Sequence, residues 1–228
     1  MQTKRALLVG AGGVSGAVVA RELSARGWGV VAVGRDETRL RAELGSFAQV
    51  YLKADVTQPR SLESVAEHGP YAAFIYNVGL LKLGGFEETS LEDFEASWRT
   101  HALGAFACCQ LVVPQMLEQG AGSLIFVGAT GSVRGGARSH AFASSKHALR
   151  GFAHGLAKEF GPKGLHVAHV VVDGKVWGDR SLERFPGLER SGCIEPEALA
   201  LQILQLIEQP RSAWTFELDV RPWSERWA

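Results

Sequence analysis

The amino-acid sequence predicts an α/β fold, in which a doubly wound parallel sheet of about seven strands carries helices on both faces and so forms three layers (α/β/α). Two observations lead to this prediction. Short apolar runs alternate with amphipathic segments along nearly the whole chain, as expected for repeated strand–helix units. The first apolar run is followed by a glycine cluster and a helical pattern, which is typical of a βαβ unit. The length fits a single domain over residues 1–228.

The composition is that of an ordinary globular protein, with 46% apolar and 21% charged residues. Lys plus Arg and Asp plus Glu number 24 each, and no basic stripe suggests a nucleic-acid partner. The first apolar run is too short for a signal peptide, and no run approaches the roughly 18 residues of a membrane span. Three cysteines, two of them adjacent, form neither a disulfide framework nor a metal spacing. We therefore expect a cytoplasmic protein with no metal and no membrane partner.

The glycine cluster lies between the first predicted strand, residues 6–9, and a helical pattern over residues 17–26. Backbone N–H groups in such a turn can approach a dinucleotide pyrophosphate, which the positive end of the helix dipole also attracts. A glycine cluster alone is weak evidence, because any tight strand-to-helix turn favours glycine. A second strand over residues 29–33 completes the unit and strengthens the prediction. The residues that we assign to cofactor binding here are Gly10, Gly12, Gly13, Val14, Ser15 and Gly16.

The end of the second strand bears on the choice between NAD and NADP. An acidic residue there would accept hydrogen bonds from the ribose 2′-hydroxyl and favour NAD, but the chain has Gly34. Arg35 follows, and its guanidinium can pair with the 2′-phosphate of NADP. We therefore expect NADP(H) in preference to NAD(H). The alternative is that Arg35 is a solvated charge at the start of the next helix, residues 37–44.

Polar residues also follow the third and fourth predicted strands, residues 50–54 and 72–76. Asp55 comes directly after the third strand and could cap a helix over residues 60–67. Asn77 begins a short turn after the fourth strand. Residues 128–132 stand at the carboxyl end of a strand over residues 123–127, where open parallel sheets bind ligands.

A long helix is predicted over residues 90–117. Ser90 is a suitable N-cap with Asp93 in the capping-box position, whereas Pro114 should kink or interrupt the helix. His101 lies in its middle. Such a histidine is often an ordinary hydrogen-bonded residue, although it can exchange protons near neutral pH.

The second half of the chain continues the alternation, with strands over residues 123–127, 165–172 and 216–220 and helices over residues 139–160 and 195–208. The first of these helices carries Phe142 and Lys146 four residues apart, so both side chains lie on one face.

In order and spacing, these motifs resemble those of the short-chain dehydrogenase/reductase family, which has a Rossmann-type fold, over nearly the whole chain. In that family a Tyr-x-x-x-Lys pair and a serine act on the substrate carbonyl: the tyrosine protonates the oxygen, the serine holds it, and the lysine binds the ribose. The resemblance assigns Lys146 to the lysine, Phe142 to the tyrosine and Ala129 to the serine position. His101 takes the place of an asparagine that helps to hold a proton-relay water.

The resemblance also implies which residues contact the cofactor. Asp55 and Val56 match a pair that contacts adenine, and Asn77 and Gly79 match residues beside the ribose. Gly174 ends an Asp-Gly pair where the family has Pro-Gly before its nicotinamide contacts.

Other features depart from the family pattern. Val14 replaces the middle glycine of the family fingerprint. Residues 175–193 match the family's substrate-covering loop, but this loop is short. Phenylalanine cannot donate a proton, and a positioned general acid contributes roughly 10²- to 10⁴-fold to the rate. A lost oxyanion donor costs roughly 10²- to 10³-fold.

Three hypotheses about function remain open. The first is an atypical oxidoreductase in which His101, His140 or a water supplies the proton. The second is an inactive NADP(H)-binding pseudoenzyme that acts as a sensor or interaction protein. The third is a hydride transfer to an acceptor that needs no enzymic proton donor. We favour the oxidoreductase, with weak carbonyl or alcohol activity on a small molecule. Because the helices over residues 90–117 and 139–160 are largely apolar, and the family pairs them between subunits, we also expect a homodimer or homotetramer.

Overall fold

The strands are β1 (Arg5–Val9), β2 (Gly29–Gly34), β3 (Val50–Lys53), β4 (Ala73–Tyr76), β5 (Gly122–Val127), β6 (Leu165–Val172) and β7 (Glu217–Val220). They form one sheet in the order β3-β2-β1-β4-β5-β6-β7, and every neighbouring pair is parallel. The structure is a computed structural model and describes residues 4–225. The predicted seven-stranded α/β fold of Rossmann type is therefore confirmed.

The helices are α1 (Val14–Ala25), α2 (Glu37–Leu44), α3 (Leu91–Trp98), α4 (Gly104–Gln119), α5 (His140–Phe160), α6 (Asp179–Arg184) and α7 (Pro196–Ile207). Alternate residues of β1 to β6 enter two separate cores, because successive side chains point to opposite faces of a sheet. In β1, Ala6 and Leu8 pack on the face that α1, α2 and α7 cover, whereas Leu7 and Val9 pack on the face covered by α4 and α5.

The winding direction of the sheet changes between β1 and β4. From β1 the chain adds β2 and then β3 on one side, and it returns to place β4 on the other side of β1. In open parallel sheets the crevice at such a switch point, outside the carboxyl ends of the strands, is the usual ligand site. The glycine turn and the residues after β4 both lie there.

The long helix predicted from Ser90 is interrupted, but not at Pro114. Ser90 caps α3 as expected, since its Oγ accepts a hydrogen bond from the Asp93 N–H at 3.1 Å. A π-helical segment, Arg99–Leu103, then separates α3 from α4, and Pro114 lies inside the continuous α4. The carbonyl that Pro114 leaves without its helical partner belongs to Gln110, an exposed residue, so water can satisfy it.

Two further expectations need correction. The helix predicted over residues 60–67 is a 3-10 helix, Pro59–His68. By length and composition, Leu91–Gln119 is also apolar enough to cross a membrane, with a mean hydropathy of 1.2, which the expectation of no such run overlooked. However, 56% of its most apolar window is buried inside the fold, and α4 contributes to one of the two cores. Core helices of globular folds pass the same test, so the feature is weak evidence for a membrane span.

Candidate active site

Two positions of the glycine turn require glycine. Gly10 has a positive φ of 80°, and a Cβ there would lie 2.7 Å from the carbonyl oxygen of Asn77. A Cβ at Gly16 would collide with the backbone of Ala11. Asn77 in turn donates a hydrogen bond from Nδ2 to the Gly10 carbonyl at 3.0 Å. The end of β4 therefore holds the start of the turn in place.

The other turn residues lie at the start of α1. Val14 is its first residue and is 40% exposed, while Ser15 is half-buried in the first turn. Val14 packs against Gly178: a Cβ built on Gly178 would lie 2.9 Å from Val14 Cγ2. The valine that replaces the family glycine thus contacts the segment after β6.

A cleft of about 400 Å³ runs along the carboxyl ends of β1 to β4. Seven of the predicted cofactor residues line it, namely Gly10, Gly12, Arg35, Asp55, Val56, Asn77 and Gly79. The other predicted cofactor residues, Gly13, Val14, Ser15, Gly16, Lys146 and Gly174, are not among its lining residues. A cleft that joins the glycine turn to the ends of β2, β3 and β4 fits a dinucleotide.

Arg35 lies outside α2, the helix that the alternative interpretation would have it begin. Asp36 is the N-cap of α2 and accepts a hydrogen bond from the Arg39 N–H at 3.0 Å, so α2 begins at Glu37. Arg35 is exposed and lines the cleft, as does the side chain of Arg39 one turn later. Sequence reasoning named only the first of these two cations.

Asp55 closes a turn instead of capping a helix. Its Oδ1 accepts hydrogen bonds from the N–H and Oγ1 of Thr57, at 2.9 and 2.8 Å. The 3-10 helix begins after Gln58, which makes no side-chain capping bond. The capping role weighed for Asp55 is therefore wrong, because the chain turns at Thr57 before the helix starts.

Lys146 lies beneath the cleft between β4 and β5, and is 3% exposed. Its Nζ donates hydrogen bonds to the carbonyls of Val127 at 3.0 Å and Val78 at 3.3 Å. Burial in this site lowers the pKa of the lysine to about 7. Its ammonium group is thus ready to lose a proton near neutral pH.

Phe142 lies one turn before Lys146 and faces the end of β5. A Cβ on Gly131 would lie 3.0 Å from its ring, and its ring meets the His101 ring edge to face, with centroids 5.6 Å apart. Ala129 directs its N–H to Ser132 Oγ at 3.1 Å. The Thr130 hydroxyl donates to Asp173 at 2.7 Å. The two hydroxyls nearest the vacant serine position are therefore bonded within the protein.

His101 uses both ring nitrogens within the protein. Nε2 accepts a hydrogen bond from the Leu80 N–H at 3.0 Å, so it carries no proton. Nδ1 lies 2.8 Å from Ser145 Oγ, whose hydroxyl donates to the Phe142 carbonyl. The ring is therefore the neutral Nδ1–H tautomer. Burial, and secondarily the charge of Lys146, lowers the pKa of His101 to about 2.

The Asp-Gly pair after β6 forms a buried ionic junction. Asp173 is 1% exposed, and Arg134 Nη2 lies 3.0 Å from both of its carboxylate oxygens. Arg221 Nη2, from the segment after β7, lies 3.0 Å from Oδ2. A Cβ at Gly174 would lie 2.7 Å from Pro222, so this glycine allows the same segment to pack closely. The junction joins three segments at the carboxyl edge of the sheet.

The segment over residues 175–193 contains α6 and reaches across the cleft. Arg184 Nη2 donates to the Leu81 carbonyl at 2.8 Å, beyond β4. Arg180 lines the cleft, and a Cβ at Gly13 would lie 3.2 Å from its guanidinium. This placement agrees with the covering role that the sequence suggested.

Glu43 is a site residue that sequence reasoning missed. Its Oε2 accepts a hydrogen bond of 2.6 Å from the Gly13 N–H, and its Oε1 accepts one of 2.6 Å from Arg39 Nε. The only signal in the sequence was the spacing of Arg39 and Glu43, one helical turn apart, which also occurs on many solvated helices. Among residues 4–225, no group of three His, Cys, Asp or Glu side chains is placed to hold a metal ion.

Comparisons with known proteins agree with this geometry. The family described as short chain dehydrogenase matches residues 4–174, so the chain belongs to that family. An uncharacterized oxidoreductase of Staphylococcus saprophyticus is 27% identical over 97% of this chain and 98% of its own. A 3-alpha-(or 20-beta)-hydroxysteroid dehydrogenase of Mycobacterium bovis is 30% identical over 73% of this chain and 67% of its own.

Solved structures show the same fold. A short-chain dehydrogenase from Rhodopseudomonas palustris superposes with a TM-score of 0.80 at 31% identity, covering 98% of this chain and 100% of that one. A metagenomic short-chain oxidoreductase, solved in complex with NADP, has a TM-score of 0.83 at 23% identity and covers 96% and 97%. This protein is thus an oxidoreductase of the short-chain dehydrogenase type, from a family that binds nicotinamide cofactors.

Proposed function

We propose that this protein binds NADP(H) and transfers hydride between it and a small carbonyl or alcohol substrate, with weak or atypical activity. The observation that carries the proposal is the meeting of the glycine turn with two guanidinium groups, Arg35 and Arg39, along one cleft. The end of β2 is Gly34, so no acidic residue stands at that position. Guanidinium groups pair with a 2′-phosphate by charge-assisted hydrogen bonds, which favours NADP(H).

Lys146 is the proposed catalytic residue. An ammonium group has three N–H donors, and the carbonyls of Val78 and Val127 take two of them. The third is left for a ribose hydroxyl, or for the substrate oxygen directly or through one water. A pKa of about 7 suits a general acid at neutral pH. The nicotinamide, when bound, supplies or accepts the hydride.

His101 is proposed as a positioning residue. A neutral ring with both nitrogens bonded has no proton to give to a substrate near neutral pH. The His101 ring links Leu80, in the segment after β4, to Ser145 of α5. It also packs edge to face on the Phe142 ring. The proton source of an atypical reaction is then Lys146, a water or the exposed His140.

A specific observation also favours the pseudoenzyme. The Phe142 and Ala129 side chains offer no donor to a substrate oxygen, and the Thr130 hydroxyl donates to Asp173. The Ser132 Oγ is fully buried and accepts the Ala129 N–H. A protein of this kind would bind NADP(H) without turning over a carbonyl.

Titration of the purified protein with NADPH and NADH, followed by NADPH absorbance in the presence of a panel of ketones and aldehydes, tests the proposal. Tighter binding of NADPH together with slow, substrate-dependent oxidation supports the oxidoreductase. Tight binding without oxidation of any carbonyl supports the pseudoenzyme. Equal affinity for the two cofactors contradicts the NADP(H) preference, and no binding of either contradicts both functions.

We also propose a cytoplasmic homodimer or homotetramer that pairs through α4 and α5. Phe106 of α4 is 47% exposed and meets Phe152 of α5 edge to face, with ring centroids 5.8 Å apart. Trp98, at the end of α3, is 44% exposed. Together these side chains form an apolar surface that a second copy of the chain would cover.

A further inference from the structure

Helix α2 places a carboxylate against the glycine turn. Glu43 accepts the Gly13 N–H at 2.6 Å and is paired with Arg39, and the guanidinium of Arg180 approaches the same turn from α6. One backbone N–H and two guanidinium groups therefore surround this carboxylate. Such donors also bind phosphate groups in proteins.

The carboxylate is charged at neutral pH. Its partial burial by itself raises the pKa, but the Gly13 hydrogen bond and the charges of Arg39 and Arg180 outweigh that effect and hold the pKa of Glu43 below its usual range. The side chain is 25% exposed. Its Oε2 would lie 3.4 Å from a Cβ at Gly12, a residue that lines the cleft, so the carboxylate lies next to the cleft lining.

In βαβ units of this kind, the adenosine ribose lies between the glycine turn and the end of the second strand. We propose that Glu43 is a specificity-determining residue, which supplies from α2 the acidic group that Gly34 leaves out. In that position it accepts a hydrogen bond from the 2′-hydroxyl of NAD(H) and repels the 2′-phosphate of NADP(H). The inference rests on the proposed cofactor function.

The Arg39 guanidinium is a partner for which the Glu43 carboxylate and a bound 2′-phosphate would compete. Its Nε is bound to Glu43, and it lines the cleft beside Arg35. When NADP(H) is bound, its 2′-phosphate and the Glu43 carboxylate would both accept hydrogen bonds from this guanidinium. The preference for NADP(H) is therefore the balance of two arginines against one carboxylate, and it is smaller than Arg35 and Arg39 alone would produce.

The Glu43→Gln variant tests this balance, because glutamine keeps an oxygen for the Gly13 N–H but removes the charge and the oxygen that accepts from Arg39. Glu37→Gln is the matched control: Glu37 lies on the same helix and pairs with Arg41 one turn along, at 2.7 Å. The dissociation constants of NADPH, NADH, 2′,5′-ADP and 5′-AMP are measured by fluorescence titration and competition. Thermal melting confirms that each variant is folded.

We expect Glu43→Gln to lower the dissociation constants of NADPH and 2′,5′-ADP about tenfold, which is the size of one charge–charge interaction at a partly exposed site. NADH and 5′-AMP should bind equally well or more weakly, and Glu37→Gln should change none of the four. Arg39→Gln should shift the preference the opposite way. An equal effect of Glu43→Gln on all four ligands, or no effect, overturns the inference while cofactor binding stands. If the wild-type protein binds neither NADPH nor NADH, the proposed function itself fails.

Discussion

The Nδ1 atom of His101 lies 2.8 Å from the Oγ of Ser145, and this contact joins the π-helical segment to the helix that carries Lys146. π-helical segments are often found at functional sites. Here the segment carries the buried His101, whose ring contacts Ser145 of α5 and the Leu80 N–H. The contact therefore ties the π-helical segment to α5, the helix that carries the proposed catalytic Lys146.

His101→Ala should lower the free energy of unfolding by about 2–4 kcal/mol, because it removes a buried ring and leaves the Leu80 N–H without its partner. Ser145→Ala, which loses the hydrogen bonds to His101 and to the Phe142 carbonyl, should cost about 1–2 kcal/mol. Urea denaturation measures both. His101→Asn should retain any carbonyl reduction that the wild type has. If that variant folds and binds NADPH but loses the activity, His101 is the proton donor after all.

Phe142→Tyr combined with Ala129→Ser should produce carbonyl reduction above that of the wild type. The phenol would lie one turn before Lys146, whose ammonium favours the phenolate, and the serine hydroxyl would return to the end of β5. Steady-state NADPH oxidation measures the gain, and each single variant should show less than the pair. A double variant that binds NADPH but reduces no carbonyl would show that substrate does not reach Phe142.

Lys146 predicts a pH dependence of stability. Its pKa is about 7 in the folded protein against an ordinary 10.5, so the unfolded chain binds more protons between these values. The lysine's contribution therefore destabilises the fold fully below pH 7, and the penalty is relieved as the pH rises toward 10.5, by up to about 1.4 kcal/mol per pH unit.

Lys146→Met should accordingly stabilise the protein most at pH 6, and its advantage over the wild type should shrink between pH 7 and pH 9. Lys158→Met, at an exposed position of the same helix, is the control and should show no such trend. Denaturant unfolding at each pH measures the difference. An advantage that does not change with pH would mean that Lys146 remains charged throughout.

Arg35→Gln should weaken NADPH binding about tenfold and leave NADH binding nearly unchanged, because only the 2′-phosphate loses a charged partner. The ratio of the two dissociation constants, from fluorescence titration, is the measurement. Equal weakening of both cofactors would place Arg35 near the shared pyrophosphate.

Phe106→Glu should convert the proposed oligomer to a monomer, since a charge in an apolar interface is costly to bury. Phe47→Glu is the control, because Phe47 is 37% exposed and follows α2, away from α4 and α5. Sedimentation at micromolar protein gives the oligomeric state. A wild-type monomer under these conditions refutes the assembly.

Local patterns in the sequence were sufficient for the strands, most helices and the glycine turn. A run rich in β-branched residues predicted β6 as residues 165–172, and the helix expected after Arg35 is α2, residues 37–44; both have the bounds that the structure has. Those features depend on residues that are neighbours in sequence, so burial on one or two faces leaves a visible pattern. The same holds for Ser90, whose capping bond is to the N–H three residues later.

The partners of the site residues were decided by tertiary structure alone. Glu43 meets Gly13, and His101 meets Leu80 and Ser145, because parallel packing brings the carboxyl ends of separate strands and their following helices to one edge. No local pattern encodes those distances. The charge states follow the same rule: whether the Lys146 ammonium or the His101 ring holds a proton depends on how far packing removes it from water and on which dipoles it then faces.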